Sequence, residues 1–154
     1  MRKRLRSAMA GGLAGAVATL AMSAVLLAGK GAGLYGAHPP ELLIKRATAR
    51  DGPLPTLQPE EQDTAWPLGH LQFGSAVGAL YGCLRPNLPA DLRSIAGGAM
   101  VGGGLWLVNY GALAPAFELL PPIPRDDLGR QATNAVAHLV YGATLAGLLE
   151  WWNP

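Results

Sequence analysis

The placement of charge constrains this chain more than any other feature. Residues 7–29, 64–84, 94–117 and 131–149 contain no Asp, Glu, Lys or Arg. A membrane-crossing helix needs about 20 mostly apolar residues, and each stretch is near that length. The charges sit at the borders: Arg6, Lys30, Asp63, Arg85, Arg93, Glu118, Arg130 and Glu150. A helical bundle in water would repeat a charged face every 3.6 residues, and none of the four stretches does so. Only 14% of the chain is charged, against about 25% in soluble domains. The 21 glycines and 13 prolines suit membrane helices, which use both more freely than soluble ones. Mean hydropathy is only +0.22 because glycine and two polar loops dilute it. The expected fold is all-α: a polytopic membrane protein forming a four-transmembrane-helix bundle, with residues 1–154 as a single domain.

The first stretch has two readings. A basic start, Met1-Arg-Lys-Arg-Leu-Arg6, followed by an apolar run also describes a secretory signal. Signal cores are about 7 to 15 residues long, and this run is longer, which favours an uncleaved anchor. Four of the first six residues are basic, which puts the N-terminus in the cytoplasm. Four spans return the C-terminus to the same side. The 85–93 hairpin is then cytoplasmic, and loops 38–63 and 118–130 face outward. Trp66 suits the outer interface, and Trp151 with Trp152 the inner one.

Internal similarity suggests two hairpins. His70-Leu-Gln-Phe-Gly74 matches His138-Leu-Val-Tyr-Gly142. Tyr35-Gly-Ala37, Pro39 and Glu41-Leu-Leu43 echo Tyr110-Gly-Ala112, Pro115 and Glu118-Leu-Leu120 in the same order. The expectation is two parallel helical-hairpin repeats, related by a two-fold axis along the membrane normal. Chance matching of an Ala-, Gly- and Leu-rich chain is the alternative. Under the repeat, the first span extends to residue 37, and residues 41–50 form a short interfacial helix ended by Asp51-Gly52.

Small residues recur every four positions. Gly11 and Gly15 do so in the first span, Gly74, Gly78 and Gly82 in the second, Gly98 and Gly102 in the third, and Gly142 with Ala146 in the fourth. Such spacing lets helix backbones approach closely where lipid gives no hydrophobic drive. Packing within one bundle is the simpler reading; a stripe left for a second copy or another membrane protein is the alternative.

The spans also contain His70, Gln72, Asn109, Asn134 and His138. Polar groups in hydrocarbon are costly unless paired, so they should point into the bundle. His70, Asn109, Asn134 and His138 form a candidate polar cluster in the outer half of the bilayer. Three roles compete: hydrogen bonds between helices; a small-solute, ion or proton conduit lined by His70, Asn109 and His138; and haem or metal ligation by His70 and His138.

No Gly-x-Ser-x-Gly, HExxH, CxxC or phosphate-binding loop is present. The Gly97-to-Gly104 run lies inside a span and lacks a P-loop lysine, so nucleotide binding is not expected. Asp127 fits the N-cap of the fourth helix. Neither catalytic residues, nor a bound cofactor or metal, nor a nucleic-acid partner is expected. The basic arm is read as topology and contact with lipid.

The Gly/Ala-rich first span ends in a Pro-Pro loop. His70-Leu-x-Phe-Gly-x4-Ala-Leu-Tyr-Gly, Asn109-Tyr-Gly-x3-Pro and His138-Leu-x-Tyr-Gly follow it. This pattern resembles small bacterial inner-membrane proteins of the YagU type across most of the chain. The resemblance implies a helical bundle in the cytoplasmic membrane and brings no catalytic residues. The function expected is that of an accessory or structural membrane protein, with the conduit and the haem or metal protein as alternatives.

Overall fold

In a computed structural model the described residues are 2–36, 44, 45, 47–49, 55–116, 118 and 120–152. Every regular element among them is helical. Four long helices carry the fold: α1 (Arg2–Gly31), α2 (Pro59–Leu84), α3 (Ile95–Val108) and α4 (Leu128–Trp152). Beyond Val108, α3 continues through a π turn, Asn109–Leu113, into a last turn, Ala114–Ala116. The helical path over 95–116 is therefore about 33 Å long at 1.5 Å per residue.

Local chemistry explains the ends. α2 starts at Pro59, and Glu61 reaches back to accept from the Gln58 N–H at 2.7 Å, one half of a capping box. The acidic segment 59–63, ahead of the uncharged stretch, thus forms the first turns of the helix. Ser94 caps α3 by accepting from the Gly97 N–H at 3.0 Å. Asp127 caps α4 by accepting from the Arg130 N–H at 2.9 Å.

α1 does not run to residue 37. It stops at Gly31, and Gly33 takes φ +72°. The Leu34 N–H then donates to the Gly29 carbonyl, and the Gly33 N–H to that of Lys30. That pair of bonds is a Schellman ending, which needs a left-handed residue that glycine supplies without strain. Tyr35 folds back, and its hydroxyl donates to the Leu26 carbonyl. The expected interfacial helix over 41–50 falls mostly outside the described residues. Within it, the Thr48 N–H and hydroxyl both bond the Ile44 carbonyl, at 2.9 and 2.8 Å.

The helices pack in the order α2, α1, α4, α3. Glycine sets both hairpin seams. A Cβ on Gly15 would lie 2.5 Å from the Gly74 carbonyl oxygen and 3.0 Å from the Gly78 Cα. One on Gly82 would lie 3.0 Å from the Gly11 Cα. In the other hairpin, a Cβ on Gly142 would stand 2.8 Å from the Gly98 carbonyl carbon and 2.9 Å from the Gly102 nitrogen. No side chain fits at such distances, so backbone rests on backbone. Between the hairpins, Gly29 of α1 instead receives the side chain of Thr133 from α4.

This order departs from the expected two-fold. A dyad relating the hairpins would pack α2 on α3 as closely as α1 packs on α4. Among the described residues, α2 and α3 barely meet. The glycine seam of each hairpin is local. The α1–α4 contact depends instead on Met22, Leu26, Ala137, Leu145 and Leu149, a core the second and third helices do not reproduce.

Large apolar side chains face outward as well as inward. Leu13, Leu20 and Met100 are more than 60% exposed, and most other large exposed side chains on the helices are apolar as well. Inside, Ala14, Ala18, Met22, Leu26, Leu145 and Leu149 lie with Thr19, Thr133, Asn134 and His138. Two helical segments, Lys3–Gly31 and Leu128–Trp152, are long and apolar enough to cross a membrane.

Candidate functional site

Because α2 and α3 do not close on each other, a hollow remains between the four helices. A cavity of about 310 Å³ lies there, toward the C-terminal end of α1 and the N-terminal end of α4. Its wall is mainly apolar: Met22 from α1, Phe73 from α2 and Leu105 from α3 contribute. His70, Asn109, Asn134 and His138 also line it, so three helices bring the four polar residues to one space. Gln72 does not join them. It lies two residues past His70, about 200° around the helix, and is exposed on the outer face of α2.

The two histidines are not equivalent. His138 is buried on the inner helix α4, and its Nδ1 lies 2.9 Å from the carbonyl oxygen of Asn134 one turn earlier. A carbonyl can only accept, so Nδ1 carries the proton, and in the neutral ring Nε2 is the acceptor. His70 is half-buried on the flanking helix α2, with Nδ1 3.4 Å from the Ser23 hydroxyl. Asn134 is 3% exposed, and its Oδ1 has no hydrogen-bond partner. A buried acceptor left unmatched is unusual in a folded protein.

Tyr141 and Leu105 separate this cavity from a second hollow of about 270 Å³, lined by Val77, Tyr81 and Val101 among others, further along the same gap. The Tyr141 hydroxyl donates to the Gly74 carbonyl at 2.6 Å, pinning α4 to α2 across the bundle centre. An added Cβ on Gly74 would stand 3.1 Å from the Thr19 Cβ and 3.4 Å from the Tyr141 ring, so a side chain there would crowd both.

The other end is roofed. Tyr110, Ala114 and Leu120 form a small apolar cluster with Trp106 and Ile123. Trp106 stacks on Tyr110 with ring centroids 5.8 Å apart. The Tyr110 hydroxyl donates to Asp126, which also pairs with Arg130 at 2.8 Å. Tyr110 is brought there by the π turn, in which the Ala114 N–H donates to the Asn109 carbonyl five residues back. Such turns are frequent at functional sites. Beside this network, burial pushes the Tyr35 phenol above its ordinary range, opposed in part by the Arg130 guanidinium.

Sequence reasoning missed three features here. Trp66 lines the cavity, although its type suggested an outward interfacial position. Asp126 ties Tyr110 to Arg130, although the Asp126-Asp127 pair showed only a helix cap. The π turn left no signal beyond the run of small residues at 111 and 112. Among the described residues, no group of three His, Cys, Asp or Glu is placed to hold a metal ion. Compared with known protein families, curated proteins and solved structures, the chain finds no match.

Proposed function

We propose that this chain is a four-span accessory protein of the bacterial cytoplasmic membrane that holds a small lipophilic molecule in its outer half. Both termini are cytoplasmic in this reading, as the basic arm favours. The apolar outer surface supports burial in lipid: so many exposed Leu, Met and Val side chains would be costly in water. The YagU-type motifs agree with that location. The observation that carries the binding role is the cavity itself. An apolar chamber of about 310 Å³ with a few convergent polar groups is the usual form of a small-molecule site. A conduit has less support, because Tyr141 and the buried core of Ala14, Ala18 and Leu145 stand between the chamber and the other face.

The test is made in lipid nanodiscs and in oriented vesicles. On a Cys83→Ala background, an Asn87→Cys variant should react with an impermeant maleimide only from the cytoplasmic side, and an Arg125→Cys variant only from outside. Gly69 lines the cavity, and an added Cβ there meets only ordinary contact with Ile44 at 3.8 Å. A Gly69→Phe variant should therefore fold and abolish uptake of an apolar probe. Unchanged uptake would remove the binding role, and labelling of both cysteines from one side would remove the topology.

A further inference from the structure

We propose that the cavity selects a neutral lipophilic molecule whose head is a hydroxyl, phenolic or quinol-like, in preference to the matching ether. The inference rests on the ligand-binding reading above and specifies its ligand class.

The selectivity comes from α4. Asn134 and His138 are one turn apart on one face of that helix and both line the cavity. The His138 Nδ1–H is spent on the Asn134 backbone carbonyl, which leaves Nε2 as an acceptor. Asn134 Oδ1 is a second acceptor, fully buried and unmatched. The nearby Tyr141 hydroxyl is committed to Gly74. This wall therefore asks for a donor. A hydroxyl gives its proton to one acceptor and can still accept from the Asn134 amide; an ether can only accept, and leaves the buried oxygen unmatched. Charge on the ligand is disfavoured, since no Asp, Glu, Lys or Arg is among the described residues lining the cavity. The apolar body has its own space. Phe73, Leu105 and Met22 face it, and the opening between α2 and α3 leads sideways, where a tail reaches the surrounding lipid.

The experiment uses the full chain in nanodiscs, with a ring-brominated 4-hexylphenol and its methyl ether as probes. Bromine quenches a touching indole, and Trp66 lines the cavity. The phenol should quench saturably, with the quenching lost in Trp66→Phe. The ether should bind at least about tenfold more weakly, the ratio set by one unmatched buried acceptor. Asn134→Leu should bring that ratio close to one. If Asn134→Leu does not fold, the ratio in the unaltered protein decides alone. Equal binding of phenol and ether, abolished in both cases by Gly69→Phe, would overturn the hydroxyl preference and leave the binding role standing. Failure of both probes to quench Trp66 would overturn the two together.

Discussion

A Gly142→Leu variant should lose the α3–α4 hairpin. The Cβ alone would stand 2.8 Å from the Gly98 carbonyl carbon and 2.9 Å from the Gly102 nitrogen. Both are backbone atoms of a regular helix, so no rotamer change relieves the clash. Overpacking typically costs about 1 to 3 kcal/mol where side chains can shift. With only backbone to move, the loss should reach about 3 kcal/mol or more by the same reasoning. Thermal unfolding in detergent measures it. Gly104→Leu is the matched control, because an added Cβ there meets nothing within 4 Å. It should unfold within about 0.5 kcal/mol of the parent, as surface changes usually do. Equal behaviour of the two variants would mean that the seam is not the one described.

The second large effect is expected at Asp126. Its side chain is 3% exposed and joins Tyr110 of the π turn to Arg130 of α4, with Arg130 itself 18% exposed. Asp126→Ala leaves a mostly buried guanidinium and a buried phenol without their shared acceptor. Breaking a fully buried ion pair costs about 3 to 5 kcal/mol. Partial solvent access to Arg130 lowers this to about 2 to 3 kcal/mol. The loss should be local, with amide exchange rising first over 109–116 and the glycine seams still protected. Tyr110→Phe removes one hydrogen bond and should cost about 1 kcal/mol. Uniform exchange along α3 in the Asp126 variant would refute the role of this network as the fastener of the roof.

What was legible in the sequence follows from how strongly long apolar helices filter residues. Charge has to stay at the ends of an apolar helix, so the borders at Arg6, Lys30, Arg85 and Glu150 locate the helices closely. A glycine every fourth position lies along one helix edge, and Gly11, Gly15, Gly78 and Gly142 do sit where backbones touch. A polar side chain in an apolar stretch turns inward unless its helical position forbids it, which separates His70 from Gln72.

Features set by geometry between distant residues were not legible. The end of α1 depends on Gly33 taking a left-handed conformation, and Gly29, Gly31 and Gly36 nearby look the same in sequence. The repeated motifs imply a dyad, yet motif similarity carries no information on which helices touch. The Tyr110–Asp126 bond joins residues 16 positions apart through a turn that no periodicity marks.

The five-residue π turn at Asn109–Leu113 also bears on how such a chain can change over generations. A π turn is an α-helix that has absorbed one additional residue. Before it, the register of α3 is fixed by Gly98 and Gly102 against α4. Across it the register is shifted by about 100°, so Tyr110 within the turn and Ala114 after it face the roof. The seam and the roof are thereby uncoupled. Lineages descended from this chain can redraw the upper wall of the chamber, one residue at a time, while the hairpin beneath keeps its fit.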